Sequence, residues 1–145
     1  MAYFKFTKAI LEGTPIDIYN NGDMFRDFTY IDDIVDGVVK LCAVIPAANP
    51  EWNAENPERG TSGVAPFEIY NIGNETVVNL MDFIGILEQK IGKEAVKNMM
   101  PFQPGDVHIT HANSDKLTSA TGFAPNTPLE DGLGKFVDWY LEFYK

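Results

Sequence analysis

Apolar residues recur at helical spacing through Ala2–Glu12, and the run meets Gly13, which suits a left-handed cap, and then Pro15, which forbids continuation. A first helix is predicted there. PIDIYN alternates instead, with Ile16 and Ile18 on one face and Asp17 and Tyr19 on the other, and closes in the turn NNGD. That short strand leads into a second extended piece, FRDFTY, and the two are expected to pair as a hairpin. From Asp32, helical periodicity returns: Ile34, Val35, Val38, Val39, Leu41 and Cys42 form a wide stripe, with Asp32 or Asp33 as N-cap and an end by Pro46. The stripe is expected to be core, with Cys42 buried in it.

Residues 46–66 carry four prolines and no periodicity, which predicts a long loop of the kind that marks an insertion or a disordered segment. FEIYNIG then reads as a strand. NETVVNLMDFIGILEQKIG places Leu80, Phe83, Ile84, Leu87 and Ile91 on one helical face, capped by Asn79 and ended by Gly92. AVKNMMPF is expected to be extended, and NSDKLTSATGF a short helix capped by Asn113 or Ser114 and closed at Gly122. The last segment predicts a helix with Thr127 as N-cap, Pro128 at the first helical position and Glu130 completing a capping box. Phe136, Trp139, Tyr140 and Phe143 are expected to pack as its apolar face. About five helices and several short strands, without a run of βαβ units, give an α+β domain.

At 145 residues the chain fits one domain, 1–145, with a substantial core. Its 45% hydrophobic and 22% charged residues are ordinary for a globular protein, and its apolar runs are too short to span a bilayer. The N-terminus has no sustained apolar stretch followed by a small-residue cleavage site, so no signal peptide is expected. A single cysteine excludes an internal disulfide and any multi-cysteine metal site, which fits a reducing cytoplasm. Eleven basic against 21 acidic residues give a net charge of -10, a field that repels nucleic acid and is offset by no basic run.

Against that charge, Arg26 stands out, set in an aromatic strand just before an acidic helix start. Its planar fork suits a phosphate, and the alternative is a salt bridge to Asp27, Asp32 or Asp33. QPGDV, residues 103–107, offers an amide and a carboxylate suited to sugar hydroxyls, or is a plain surface turn. His108 and His111 have no further metal-ligand partners nearby and read as polar surface residues. No nucleophile elbow appears, and no glycine cluster between a strand and a helix is present to cradle a dinucleotide. Residue chemistry thus reaches a domain that binds a small anion or sugar.

RDFTYIDDIVDGVV resembles the segment that follows the Rossmann core in extended short-chain dehydrogenase/reductases acting on nucleotide sugars. With FKFTKAILEGTPIDIYNNGD, YNIGNETVVNLMDFI, QPGDV and TPLEDGLGKFVDWY in the same order, the chain is most similar to the UDP-glucuronate 4-epimerases, nearly end to end. The resemblance implies a small mixed α/β C-terminal, substrate-binding domain of an NAD(P)-binding Rossmann-fold enzyme, with the Rossmann core absent and Met1 at a position internal to the relatives. It implies that NAD and the catalytic Tyr-x-x-x-Lys pair belong to the missing N-terminal half. Tyr3, Tyr19, Tyr30, Tyr70 and Tyr140 are followed four positions on by Thr7, Asp23, Ile34, Asn74 and Tyr144, never by lysine. Catalysis by this chain alone is therefore not expected.

Carried over position by position, the resemblance makes Arg26 the contact to the UDP diphosphate and ribose. Tyr19, with Asp17 and Ile18, would line the uracil, and Asp106 would accept from the ribose hydroxyls. Gln103 stands where galactose epimerases have a second phosphate-binding arginine, which implies a weaker hydrogen bond there. The implied partners are a UDP-sugar and the N-terminal Rossmann domain of the same enzyme, in a homodimer with no nucleic acid or membrane. Part of the final helix's aromatic face would lie bare where that domain packs. Two alternatives stay open: another member of the superfamily, such as a UDP-xylose synthase or nucleotide-sugar dehydratase, and a stand-alone binding module or decayed gene fragment.

Overall fold

A computed structural model describes residues 1–144. Helix α1 (Ala2–Glu12) ends where Gly13 turns left-handed at φ 72° and returns its N–H to the last carbonyls. Strand β1 (Pro15–Ile18) follows, with Ile16 and Ile18 turned inward as the alternation requires. A 3₁₀ turn over Tyr19–Gly22 follows β1, with Asn20 and Asn21 both left-handed, a conformation asparagine tolerates better than most side chains. Then come β2 (Phe25–Asp27), α2 (Ile31–Leu41), β3 (Val77–Asn79), α3 (Leu80–Ile91), β4 (Val96–Met99), α4 (Asp115–Thr121) and α5 (Leu129–Phe143).

The two sheets are each two-stranded. β1 lies parallel to β4 in the register Pro15↔Val96 to Ile18↔Met99. β2 lies antiparallel to β3, from Phe25↔Asn79 to Asp27↔Val77. The expected hairpin between β1 and β2 is therefore absent. β1 finds its partner in β4 instead, and in that pairing Ile16 and Ile18 face the helices.

Those helices supply the core. Ile10 of α1, Ile16 and Ile18 of β1, Phe83, Ile84 and Leu87 of α3, and Leu133 and Val137 of α5 form one buried cluster. Each such side chain contributes about 1.5–3 kcal/mol by leaving water. Phe28, just beyond β2, stacks on Phe83 with ring centroids 4.6 Å apart and thereby ties the small sheet to the core. The entry to α3 is fixed by Asn79, whose side-chain oxygen accepts the Met81 N–H at 2.7 Å, and its exit by left-handed Gly92.

Three expectations fail around α2 and α5. The inner face of α2 carries Asp33 and Gly37, four residues apart, while Val35, Val38 and Val39 are about half exposed or more and Cys42 is exposed. The valine part of the apolar stripe is surface, while Ile34 and Leu41 are half-buried. Asp33 does not cap α2, whose N-cap is Tyr30 without a side-chain bond; its Oδ2 instead accepts the N–H of Thr127 at 2.9 Å. Thr127 is correspondingly not a cap, and α5 begins after Pro128. One buried carboxylate thus clips the start of α5 to the first turn of α2.

Residues 67–73, read as a strand, form no ladder. Phe67 and Ile69 are exposed and their N–H groups bond to Ala65 and Gly60 carbonyls, because no described strand offers an edge beside them. Residues 46–66 form the expected irregular loop, with one isolated bridge, Asn53↔Asn56. On α5, Tyr140 is buried while Trp139 and Phe143 are 47% and 66% exposed, so the aromatic face is only partly covered.

Candidate functional site

Arg26 is the middle residue of β2, so its side chain leaves the face opposite Phe25 and Asp27. Its guanidinium is held by three acceptors. Nη1 donates to the Phe25 carbonyl at 2.7 Å and to the His108 carbonyl at 3.1 Å. Nη2 donates to Asp106 Oδ1 at 2.9 Å. A guanidinium carries five N–H groups, so the one on Nε and one on Nη2 have no acceptor among the described residues. Arg26 is thus oriented, partly buried and still able to receive an oxyanion.

Two of those acceptors come from one segment, residues 106–108, which runs beside β2. It is attached by Phe25 N–H to the His108 carbonyl at 2.9 Å and by Thr110 N–H to the Phe25 carbonyl at 3.2 Å. A parallel bridge joins Phe25 to Ile109. Asp106 is set by the turn before it: its N–H reaches the Gln103 carbonyl at 3.1 Å, and its Oδ1 also accepts the Val107 N–H at 2.7 Å. The arrangement sets one acid against one base, a locally neutral pair on a chain whose net charge is -10.

The other residues singled out from the sequence lie along β1 and its continuation. Asp17 Oδ1 accepts from Asn98 Nδ2 at 2.7 Å, across the parallel ladder. Ile18 is fully buried, so only its backbone is open to a ligand, and its carbonyl is already taken by Met100 N–H at 2.9 Å. Tyr19 is half-buried at the start of the 3₁₀ turn. Gln103 is exposed two residues beyond Pro101, where β4 has run out toward the Asp106 turn. The structure therefore bonds the Arg26 and Asp106 side chains directly, reaches Gln103 only through its backbone carbonyl, and connects Asp17, Ile18 and Tyr19 to them by way of β4.

Asp27, Asp32 and Asp33, weighed as partners for Arg26, are engaged elsewhere. Asp27 Oδ2 accepts the N–H groups of Glu75 and Ala112, Asp32 lies 3.9 Å from Lys135, and Asp33 holds Thr127. Sequence reasoning missed the backbone carbonyls of Phe25 and His108, which no side-chain pattern advertises. His108 itself sits at the surface, its Nε2 3.3 Å from Asp23 and its ring edge-on to Phe25. No group of three or more metal-ligating side chains occurs among the described residues.

Two clefts of about 360 and 410 Å³ open elsewhere, around Phe28, Pro128 and Leu129. Neither is lined by any of the six site residues, and the first is walled chiefly by aromatic and aliphatic groups such as Tyr3, Ile34, Leu133 and Phe136. They carry no convergent charge, so the chemistry stays with Arg26.

This fold is that of the C-terminal part of an extended short-chain dehydrogenase/reductase of the nucleotide-sugar epimerase type. The UDP-glucuronic acid 4-epimerase of Bacillus cereus, solved with UDP-glucuronic acid and NAD, superposes over 99% of the chain with a TM-score of 0.77 and 30% identity. The match covers 40% of that enzyme. The chain belongs to the NAD dependent epimerase/dehydratase family, whose model matches residues 1–73. Among curated relatives, Protein CapI of Staphylococcus aureus is 52% identical over the whole chain and a probable UDP-glucuronate 4-epimerase of Rhizobium meliloti is 45% identical. The chain spans 43% and 42% of their respective lengths.

Proposed function

We propose that this chain is the UDP-sugar-binding part of an NAD-dependent epimerase that interconverts UDP-glucuronate and UDP-galacturonate at C4. The observation that carries the reading is Arg26, braced by Phe25, His108 and Asp106 with two N–H groups unspent. That state suits a diphosphate, whose oxygens take paired charge-assisted bonds from a fixed guanidinium at little further ordering cost. Asp106, with its second oxygen, suits a ribose hydroxyl beside the phosphates, and Gln103 a further hydrogen bond. Tyr19, with the backbone of Asp17 and Ile18, is assigned to the uracil end. Residues 1–145 act in this reading as one nucleotide-sugar-binding domain, with 46–66 as a surface loop.

The residues present do not fit NAD. Both direct strand-to-helix passages, Phe28–Tyr30 and Asn79–Leu80, lack glycine, so neither brings a helix N-terminus close to a pyrophosphate. NAD and the proton-transfer chemistry are assigned to the Rossmann half that relatives carry. This chain's contribution is to hold the non-reacting part of the substrate, where binding energy is best placed if the sugar has to turn. The exposed Val35, Val38 and Val39 stripe of α2 and the unpaired 67–73 segment are assigned to contact with that half. No described helix is long and apolar enough to cross a membrane.

The test is calorimetric titration of the chain with UDP and UDP-glucuronate, beside Arg26→Ala. Saturable binding that the variant loses supports the reading. Binding that survives the substitution unchanged refutes Arg26 as the diphosphate ligand.

A further inference from the structure

We infer that Asp27 is the positioning residue that holds the Arg26 guanidinium in its anion-receiving state. This rests on the reading of Arg26 as the diphosphate ligand. Asp27 follows Arg26 on β2 and points to the other face, so it cannot touch what Arg26 touches. It acts through the segment that does. Two of the three acceptors on Arg26, Asp106 and the His108 carbonyl, lie on a stretch with no helix of its own and one bridge to β2. Asp27 is the member of β2 that holds that stretch from Thr110 onward: its backbone N–H meets Thr110 Oγ1 at 3.4 Å and its side-chain Oδ2 accepts the Ala112 N–H at 3.1 Å.

The same Oδ2 accepts the Glu75 N–H at 3.2 Å, and from there the bolt continues. Glu75, held left-handed at φ 56°, accepts the Ser114 N–H with its carboxylate. Buried Ser114 in turn bonds both the N–H and the carbonyl of Gly73 through its hydroxyl, each at 3.0 Å. Gly73 is where the packing is tightest, since a Cβ there would collide with Ala112 and lie 3.0 Å from Asp27 Oδ2. Residues 110–114 are thus locked from two sides, and Asp27 is the member shared with the strand that carries Arg26.

Asp27 Oδ1 has no hydrogen-bond partner among the described residues. Oδ2 alone carries both N–H bonds, and an asparagine would supply the same carbonyl acceptor there. The two N–H bonds on Oδ2 do not need a full charge, so Asp27→Asn should preserve positioning, whereas Asp27→Ala should not.

The experiment compares UDP with uridine, by NMR titration, on the wild-type chain, Asp27→Ala, Asp27→Asn and Arg26→Ala, with thermal unfolding followed on each. Uridine lacks the diphosphate, so the ratio of the two affinities isolates what Arg26 contributes. Asp27→Ala is expected to lower UDP affinity about tenfold, the scale of one charge-assisted bond, and to leave uridine unchanged. Asp27→Asn is expected to stay within about threefold of wild type. Equal loss for both ligands, or an unchanged ratio in folded Asp27→Ala, overturns the inference while the Arg26→Ala result stands. Should Asp27→Ala not fold, Asp27→Ser takes its place, its hydroxyl being too short to reach both the Glu75 and Ala112 N–H groups: it must reduce the UDP to uridine ratio, and a ratio equal to wild type overturns the inference. A wild-type chain that takes UDP no better than uridine overturns the reading of Arg26, and this inference with it.

Discussion

Arg26 Nη2 and Asp106 Oδ1 stand 2.9 Å apart although 80 residues separate them in the chain. Their side chains are 25% and 37% exposed, so the pair is screened and contributes only about 0–1 kcal/mol to stability. Its use is directional. Asp106→Asn should therefore leave the urea midpoint nearly unchanged while weakening UDP binding by roughly tenfold, because the guanidinium loses its charged brace. A loss of stability matching the loss of binding would show that the pair serves the fold instead.

Phe83 is fully buried, stacks on Phe28 and sits in the centre of the cluster made by α1, β1, α3 and α5. Truncation to alanine should cost about 3–5 kcal/mol in urea denaturation, from lost burial plus the cavity left behind. Because Phe28 adjoins β2, the same variant should also loosen the Arg26 strand, visible as faster amide exchange at Phe25–Asp27.

The caps differ in a way that one pair of variants resolves. Asn79 accepts the Met81 N–H and Asn79→Ala should destabilise by about 1 kcal/mol. The Thr127 side chain makes no cap bond, and it is its backbone N–H that Asp33 holds, so Thr127→Ala should fall within about 0.5 kcal/mol of wild type. Equal losses in the two variants would contradict the observed start of α5.

Glu88 sets an acid limit. Partial burial pushes its carboxyl upward, but hydrogen bonding and charge from Lys97 together with the Ala95 N–H outweigh this and leave it below the ordinary glutamate value. In the unfolded chain that shift vanishes. The stabilisation is therefore complete above the ordinary glutamate value and is lost as pH falls through the depressed folded one. Unfolding midpoints of wild type and Glu88→Gln, measured from neutral pH downward, should converge on the acid side. Parallel curves would exclude Glu88 as the titrating group.

Cys42 lies at the exposed end of α2, next to the valine stripe. It should react with a disulfide reagent in native buffer, one thiol per chain, at a rate within about tenfold of that in urea. Protection that disappears only on unfolding would mean that the face is covered, by a second copy of the chain or otherwise.

What the sequence makes legible here is local. Gly13, Gly92 and Gly122 end helices where they were expected to, and Asn79 caps α3, because such signals act within one turn. Pairing is not local: nothing in PIDI names VKNM as its partner, and a β1–β2 hairpin is the nearer choice. FEIYNIG has the composition of a strand, yet a strand exists only where another edge receives it. The stripe of α2 shows the converse limit, since periodicity reports that a face is apolar without saying what covers it. Arg26 stands out by its isolation among acidic residues, but its ion-pair partner is Asp106 rather than the aspartates near it in sequence, Asp27, Asp32 and Asp33.

The parallel ladder of β1 and β4 also sets a timetable. Asp17 and Asn98, bonded across it, are 81 residues apart, and closing so long a loop carries an entropic cost that no early local contact offsets. On the ribosome, Pro15–Ile18 emerges and must wait, with Ile16 and Ile18 unsheltered, until Val96–Met99 has been synthesised. Folding of this chain is thus expected to be gated by late, long-range closure, the regime of high contact order. A growing chain stalled before Val96 would leave the first strand with no β4 edge to join, and that intermediate is where chaperone demand should concentrate.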